Sequence, residues 1–443
     1  MRWVPGLALL LAALLAANAA QDAWQESRES VGADFFGSWG VPRALSAGPV
    51  GNIYSEEGRQ RLARALAIDN LRPATSERQR AASQNTVETG VYDTTATPFC
   101  YFLFGLCSTG DYETDYTNFT LVSLAAFTAA VFALCGALGY PAVSACLLAV
   151  LFLRWFLPFA ADVHMANLGR LQCALLVAVL LVQRGRDRPV RDFVTGFLMA
   201  LGILFKPSVA AAMALPVLYW SLRRRGRKVA FAAAGGTAGA LIGLIGSSVY
   251  LGDARCWLEW LRALPGILDT RYGVADGNFG LAVLMERFFS VRLSTAIFLV
   301  CLLIFVAAAR RSAARPGTDC APATAAETAG PEGEWIRTAA ALALGAAVML
   351  LSAPLIWVHY YVTAIPLALV ALRPAGGEPG ARGTGFAAFA GISLLLFSRF
   401  LQPWLPTSGV WEASLLNLSV VLFASRALGE FGGTLAAADH RRT

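Results

Sequence analysis

Charged residues are scarce in this chain of 443 residues. They make up 15% of the sequence, whereas hydrophobic residues make up 56%, a balance that is too apolar for a soluble protein of this size. The sequence therefore predicts an all-α polytopic membrane protein. Its formal net charge is +7, but the arginines form short runs between apolar segments, where they determine membrane topology. We therefore expect contact with membrane lipids and no nucleic-acid partner.

Metal-ligand patterns are lacking as well. The sequence holds three histidines, and its eight cysteines do not have the spacing of a metal site. Several cysteines lie inside apolar runs, where cysteine behaves as a small hydrophobic residue. We therefore expect no metal and no cofactor. A disulfide between Cys100 and Cys107 is an alternative to free thiols if their loop faces an oxidising compartment.

Polar residues are concentrated in residues 21–118. This region follows residues 1–20, which have the features of either a first transmembrane helix or a cleaved signal peptide, and both alternatives place it on the outer face. Within it, residues 55–68 predict an amphipathic helix, lying either on the membrane surface or packed on its own loop. The apolar segment around Tyr101 is too short to span, and we expect it to dip into the interface or to re-enter.

Residues 119–443 are predicted to form a multi-helix transmembrane domain. Together with the first helix they make about twelve crossings with both ends inside, and a large outer loop follows the first helix. Stretches near 310–335 and 373–385 are predicted to be flexible cytoplasmic linkers. Residues 386–397 and 411–424 are predicted to form a final outer hairpin.

Residues 193–220 are apolar except at Lys206 and Pro207. As one helix this stretch would be about 42 Å long, against a hydrocarbon core of about 30 Å. Basic runs flank it, at residues 184–191 and 223–228, and the positive-inside rule favours the same side for both. The sequence therefore predicts two short helices that turn at Lys206–Pro207 on the outer side.

This topology gathers polar residues on the outer face. The candidates for chemistry are Asp34, His164, Asn167, Arg170, Gln172, Lys206, Arg271, Asn278, His359, Tyr360 and Tyr361. Several of them have a structural alternative. Asp34 can cap a helix, and Lys206 can reach lipid phosphates. Arg170 and Gln172 can bond helix to helix, and His359 can belong to an interfacial aromatic belt.

Four short motifs occur in order along the chain. They are Asp34-Phe35 after the first helix, Gly169-x-x-Gln172, the Lys206-Pro207 break and Ser352-x-Pro354-x-x-Trp357-x-His359. With these motifs the chain, from about residue 30 to 370, resembles glycosyltransferase family 87 of the GT-C superfamily. Its members include mannosyltransferases that depend on polyprenyl-phosphate sugars. The family usually reads Gly-Gln-x-Asn, whereas here Gln172 stands three residues after Gly169 and Asn167 precedes it.

The resemblance implies a GT-C-like bundle and a hexosyltransferase. Such an enzyme moves a sugar, mannose in the first instance, from a polyprenyl-phosphate donor to a lipid or glycan acceptor on the outer face. It implies inverting transfer with Asp34 as the general base. The residues expected to bind substrate are Lys206, Arg170, Gln172, Arg271, Asn278, His359 and Tyr360. We expect the protein in the plasma membrane of a bacterium, with the site facing the periplasm or exterior.

The chemistry of such a transfer agrees with these residue types. A positioned carboxylate can take the proton of the attacking hydroxyl. The leaving phosphate is already ionised, so it needs cationic donors and no acid. The sequence also has no Asp-x-Asp pair of the kind used with sugar nucleotides, so a metal is unnecessary.

A polytopic transporter or lipid flippase is the main alternative. Transporters typically show internal repeats and polar breaks at mid-membrane in both halves, whereas this sequence has no internal repeat and one break, at Lys206–Pro207. A structural or assembly subunit of an envelope complex is a third alternative. It gives the one-sided set of polar residues no purpose, so the enzyme is favoured.

Overall fold

The computed structural model describes residues 4–185, 188–268, 272–274, 277–291, 293–313, 331–373 and 409–432. This part of the chain is almost entirely helical and contains no β-sheet. Its helices are, in chain order, α1 (Val4–Glu29), α2 (Ala33–Leu45), α3 (Glu56–Asn70), α4 (Glu77–Thr89), α5 (Pro98–Cys107), α6 (Tyr112–Ala137), α7 (Ala142–Val150), α8 (Leu157–Met165), α9 (Gly169–Val182), α10 (Pro189–Phe205), α11 (Ala210–Leu222), α12 (Gly226–Leu251), α13 (Cys256–Leu268), α14 (Leu281–Phe289), α15 (Ser294–Ala313), α16 (Pro331–Ser352), α17 (Ile365–Ala371) and α18 (Val410–Gly432). A short π-helix at Leu151–Trp155 separates α7 from α8. Short 3-10 helices, called 3-10 turns below, precede α11 at Pro207–Val209 and α17 at Val358–Ala364.

Six helices of the described ranges are long and apolar enough to cross a membrane: α1, α6, α12, α15, α16 and α18. The bent pair α7–α8, with 59° between its halves, makes a seventh if it is one span. The chain is therefore an all-α polytopic membrane protein, as its low charge predicts. The predicted count of about twelve crossings is not confirmed. Residues 386–397 and most of the predicted linkers near 310–335 and 373–385 lie outside the described residues.

Helices α10 and α12 run parallel to each other. An ion pair joins their first turns, with Lys228 Nζ and Asp192 Oδ1 3.6 Å apart. Near their other ends, Gly243 of α12 lies against the side chain of Leu204 of α10. Because α11 connects two helices that run the same way, it must run in the opposite direction. The chain therefore turns at Lys206–Pro207, as the two basic flanks predict.

Glycine allows α10 and α12 to approach closely. A Cβ atom on Gly196 would lie 1.8 Å from the carbonyl oxygen of Ala232, and one on Gly235 would lie 1.8 Å from that of Phe193. Both distances are far below contact distance, so a side chain at either position would push the helices apart. Small residues at such interfaces are a common way for membrane helices to pack backbone against backbone.

One end of the bundle collects the arginine-rich segments. Arg223 Nη1 donates to the carbonyl of Ser312 at 2.9 Å, and Trp335 Nε1 donates to the carbonyl of Leu180 at 2.8 Å. These bonds join the end of α11 to the end of α15 and the end of α9 to the start of α16, and Trp220 Nε1 of α11 donates to the hydroxyl of Thr338 in α16. We call this the basic end, and the opposite end, where α10 stops at Phe205, the site end. Residues 184–185, 188–191 and 223–228 thus share one side of the bundle.

Helices α2 to α4 form a layer over the site end. Leu62 and Leu66 of α3 are buried among its aromatic residues, so α3 packs on its own loop, the second of the two predicted alternatives. Arg43 Nη2 donates to Asp69 Oδ1 at 2.7 Å, and Gln79 also donates to Asp69. Burial alone would raise the pKa of Asp69, but these hydrogen bonds and the charge of Arg43 hold it below the ordinary value.

Helix α5 lies alongside the site-end half of α12 and runs in the same direction. Phe99 lies against Gly243, and the Tyr250 hydroxyl lies over Gly105. Since α12 ends at Leu251, α5 begins about 12 Å below that end, at a rise of about 1.5 Å per residue. The chain therefore dips into the bundle and returns to the same end, which is the re-entrant course that its short apolar sequence predicts.

The predicted disulfide alternative within α5 is wrong. Cys100 and Cys107 lie on this one helix, and both thiols are free. Two helical turns separate their backbones by about 10 Å, which exceeds the limit of about 7 Å for a disulfide. Cys100 is buried, whereas Cys107 is exposed.

Helix α1 continues past residue 20 and ends at Glu29, so it is longer than the predicted segment 1–20. The face that it buries consists of small residues: Ala12, Ala16, Ala19 and Ala23. Near its end, the carbonyl of Ser27 accepts a hydrogen bond from the Tyr116 hydroxyl at 2.7 Å. This bond holds the end of α1 beside the first turns of α6.

Candidate active site

Four segments that are distant in sequence meet at the site end. Asp34 lies in the first turn of α2, and Asn167 lies in the turn between α8 and α9. Lys206 follows the last residue of α10, and His359 lies in the 3-10 turn before α17. Their side chains lie around the carboxylate of Asp34.

The residues around Asp34 fix the direction of its side chain. Gly32 has a φ of +74°, and a Cβ atom there would lie 2.3 Å from the ring of Tyr116, so the position requires glycine. Phe35 and Phe36 are buried within the aromatic cluster of the α2–α4 layer. Asp34 contacts the α8–α9 turn instead, and 33% of its side chain remains exposed.

The environment of Asp34 perturbs its titration. Burial raises the pKa of the carboxyl group above its ordinary value. The hydrogen bond from Asn167 and the charge of Lys206 offset part of this rise, while the charge of Asp93 adds to it. The carboxylate is thus largely surrounded by protein and still partly exposed. Its raised pKa moves it toward the range that suits a general base near neutral pH.

Asn167 connects the carboxylate to a lysine. Its Nδ2 donates to Oδ2 of Asp34 at 2.6 Å, and its Oδ1 accepts from Nζ of Lys206 at 3.2 Å. The same Oδ1 accepts from the backbone N–H of Gly169 at 3.1 Å. Because an N–H can only donate, this last bond fixes which end of the amide faces Asp34. One side chain thus orients an anion and a cation together.

Lys206 is placed by the helix break that its sequence predicts. Its backbone is extended, with a φ of −150°, and the residue before a proline is biased toward this region. Nζ lies 4.1 Å from the centre of the Tyr360 ring, within the range of a cation–π interaction. The ammonium group therefore lies between an amide oxygen and an aromatic face.

His359 closes the other side of the carboxylate. Its side chain is 7% exposed, and Nε2 lies 3.9 Å from Oδ2 of Asp34, which is beyond hydrogen-bond distance. Nε2 has no hydrogen-bond partner within the described part of the chain. The imidazole packs against the ring of Tyr360, with 4.9 Å between the ring centres. The structure thus brings together Asp34, Lys206, His359 and Tyr360, all of which the sequence singled out.

Arg170 and Gln172 lie in the first turn of α9 and contact other groups. Arg170 Nε donates to Oδ2 of Asp162 at 2.7 Å, and neither side chain is exposed. Gln172 Nε2 donates to Oγ of Ser208 at 3.4 Å and so bonds α9 to the turn after Lys206. Sequence reasoning misses Asp162. Its signal is a carboxylate inside the apolar run of α8, where an ionisable residue is a functional candidate.

Asn278 is buried in the loop before α14 and is bonded to the backbone. Its Nδ2 donates to the carbonyls of Tyr272 and Pro354 at 3.2 and 3.0 Å. Its Oδ1 accepts from the N–H of Ile356 at 2.9 Å. Asn278 therefore fixes the loop that leads into His359, and no bond joins its side chain to Asp34 in the described structure.

The remaining candidates do not join this cluster. Arg271 lies outside the described residues. The His164 side chain is exposed, and its carbonyl accepts a hydrogen bond from the hydroxyl of Ser30. The Tyr361 hydroxyl lies 3.0 Å from Oδ1 of Asn417, so it bonds the 3-10 turn to α18.

Two other carboxylates of residues 21–118, Asp111 and Asp115, have structural partners. Asp115 accepts hydrogen bonds from Trp39 Nε1 at 2.8 Å and from the backbone and hydroxyl of Thr109 at 2.8 and 2.7 Å. Asp111 caps α6 by accepting from the N–H of Thr114 at 2.8 Å. Among these three carboxylates, only Asp34 shares an amide partner with Lys206 and lies beside the Nε2 of His359, which has no partner in the described residues.

A helical membrane bundle that brings a carboxylate and a cation together at one end has the features of a membrane-embedded group-transfer enzyme. The profile of glycosyltransferase family 87 matches residues 95–330, more than half of the chain. The chain belongs to this family and is a membrane glycosyltransferase. Comparisons with curated proteins and with solved structures gave no significant match.

Family membership favours the enzyme over the transporter alternative. The matched region contains Asn167 and Lys206, whereas Asp34 and His359 lie outside it. The grouping of these four residues therefore depends on the geometry of the fold.

Proposed function

We propose that this protein transfers a hexose, mannose in the first instance, from a polyprenyl-phosphate donor to a lipid or glycan acceptor on the outer face of the membrane. The observation that carries this proposal is the arrangement at Asp34. A partly exposed carboxylate with a raised pKa lies one amide away from a lysine ammonium. Transfer to a hydroxyl needs a proton acceptor at one partner and positive charge at the leaving phosphate, and this site offers both.

Asp34 acts as the general base in this proposal. The acceptor oxygen forms a bond to the anomeric carbon of the sugar, and its proton passes to the Asp34 carboxylate. In the same step the bond between the anomeric carbon and the phosphate oxygen breaks. A single displacement inverts the anomeric configuration. A positioned base of this kind contributes roughly 10²- to 10⁴-fold to the rate.

Lys206 binds the donor phosphate. The leaving group departs as an ionised polyprenyl phosphate, so it needs charge-assisted hydrogen bonds rather than a proton donor. The ammonium of Lys206 has Asn167 Oδ1 and the Tyr360 ring as neighbours, and neither neutralises its charge. The proposed reaction therefore includes no metal and no cofactor.

The other proposed substrate contacts come from the same centre. His359 presents a buried Nε2 without a described partner, which can bond to a sugar hydroxyl. Tyr360 presents a ring beside Lys206. Gln172 and Asn278 stabilise the segments that carry the site residues. Gln172 bonds to the turn after Lys206, and Asn278 bonds to the loop before His359. Arg271 remains a proposed phosphate ligand from the sequence pattern alone.

The direct test is Asp34→Asn in the purified full-length protein. The substitution keeps the shape of the side chain and removes its ability to take a proton. We expect turnover to fall by roughly two to four orders of magnitude with little change in donor binding. The assay measures transfer of radiolabelled mannose from polyprenyl-phosphate mannose to the lipids of native membranes.

Asp111→Asn is the matched control, because asparagine caps a helix as well as aspartate does. It should retain near-normal activity. If Asp34→Asn is nearly normal and Asp111→Asn or Asp115→Asn is inactive, the base lies at the other end of the outer loop and the proposal for Asp34 is wrong.

A further inference from the structure

A buried ion pair between Asp162 and Arg170 joins the two helix ends that flank the α8–α9 turn. Asp162 lies near the end of α8, Arg170 lies in the first turn of α9, and Nε and Oδ2 are 2.7 Å apart. Between them, the N–H of Asn167 donates to the carbonyl of Asp162 at 3.0 Å, and Ala166 adopts the left-handed region with a φ of 51°. The turn is therefore held both by its backbone and by a salt bridge.

A fully buried ion pair is unusual in an apolar helical bundle. Neither side chain is exposed, and Nη1 and Nη2 of Arg170 and Oδ1 of Asp162 have no hydrogen-bond partner in the described residues. Burial of two charges is costly, and such pairs can often be replaced by apolar residues without loss of stability. Stability alone therefore does not account for the pair.

Its neighbours show what the pair holds in place. A Cβ atom on Gly169 would lie 2.3 Å from Oδ1 of Asp162 and 3.2 Å from the carbonyl oxygen of His359. The backbone of the turn thus fits between the Asp162 carboxylate and the 3-10 turn that carries His359. The N–H of Gly169 in turn bonds to Oδ1 of Asn167. A shift of the Asp162 carboxylate would move the amide of Asn167.

We propose that Asp162 and Arg170 are positioning residues that act through Asn167, so that their ion pair holds one amide in contact with both Asp34 and Lys206. This inference rests on the proposed function of Asp34 and Lys206. It replaces the sequence-based expectation that Arg170 binds the donor phosphate, because the guanidinium is buried against Asp162 and lies over the ring of Phe119.

The test uses the double variant Asp162→Asn/Arg170→Met. Removal of one partner alone leaves a buried unpaired charge and endangers folding, whereas the double variant removes both charges and nearly preserves side-chain volume. We expect folded, inserted protein whose kcat falls roughly 100-fold, as small misplacements of reacting groups do. The donor KM should rise less than it does in Lys206→Met, because the ammonium of Lys206 is still present.

The pH profile provides a readout that a merely structural role would not move. The hydrogen bond from Asn167 lowers the pKa of Asp34. Its loss should therefore shift the acid limb of the activity profile to higher pH in the double variant. An increased donor KM with an unshifted limb would show instead that Arg170 binds phosphate, and it would overturn the proposal.

A cycle with Asn167→Ala tests whether the pair acts through the amide. If it does, adding Asp162→Asn/Arg170→Met to Asn167→Ala should lower kcat little further. Additive losses would refute this route. The cycle also separates the two proposals: if Asp34→Asn retains activity while the cycle is non-additive, the pair positions Asn167 but Asp34 is not the base.

Discussion

Replacement of Lys206 with methionine tests the proposed phosphate site. Methionine keeps most of the side-chain length, and Asn167 retains its bonds to Asp34 and Gly169, so the turn should stay in place. A hydrogen bond to a charged group contributes about 1.5–3 kcal/mol. Loss of one such bond to the donor phosphate therefore predicts a donor KM higher by roughly ten- to a hundredfold.

The same substitution should also change the pH dependence. The positive charge of Lys206 lowers the pKa of Asp34, so its removal raises that pKa further. Since Asp34 must be ionised to accept a proton, the acid limb of the activity profile should move to higher pH. Initial rates across donor concentration and pH, in purified protein, measure both effects.

Arg227→Met is the control for Lys206→Met. The exposed Arg227 also lies over an aromatic ring, that of Phe231 at 5.8 Å, but at the basic end of the bundle. Per folded molecule, it should leave the donor KM and the acid limb unchanged. If Lys206→Met has a normal donor KM and a normal pH profile, the lysine does not bind the donor phosphate and the reasoning is refuted.

Two further predictions concern stability and packing. Folding raises the pKa of Asp34, so ionisation of this carboxyl group destabilises the folded protein at neutral pH. Asp34→Asn should therefore unfold at a higher temperature than the native protein at neutral pH, and this difference should vanish in acid. Thermal unfolding measured over a series of pH values tests this, and a variant that is less stable at neutral pH contradicts it. Gly235→Leu should greatly reduce the yield of folded protein in size-exclusion chromatography, because the leucine side chain would force α10 and α12 apart. Gly236→Ala should fold normally, because a Cβ atom at Gly236 would lie 3.6 Å from its nearest neighbour. Equal yields would show that the close packing is not required.

The sequence is a good guide where charge decides the structure. Two basic flanks around an apolar stretch predict a turn at Lys206–Pro207. The structure has this turn, because α10 and α12 are parallel and α11 between them runs in the opposite direction. The same reasoning places Asp34 and His359 on one side of the membrane. Both interact electrostatically with Lys206 in the fold, although topology alone defines only a shared face.

Contacts between distant segments could not be predicted in this way. The amphipathic period of α3 is the same whether Leu62 and Leu66 face lipid or an aromatic cluster, so the pattern leaves the partner open. Asparagine is a residue type that can bind a ligand, yet the side chain of Asn278 forms hydrogen bonds with the backbone of another loop. The role of Asp162 is not evident from the sequence, because one carboxylate hardly changes the hydropathy of an apolar run. Its partner Arg170 lies on another helix, so their pairing depends on how the two helices fold together.

The order of the site residues along the chain has a consequence for biosynthesis. Asp34 is synthesised early, but the segment that carries His359 follows it by more than 300 residues. At about 5–20 residues per second, tens of seconds separate the two events on the ribosome. A nascent or truncated chain therefore carries the carboxylate without its imidazole neighbour. The arrangement around the Asp34 carboxylate is therefore complete only when the late helices dock.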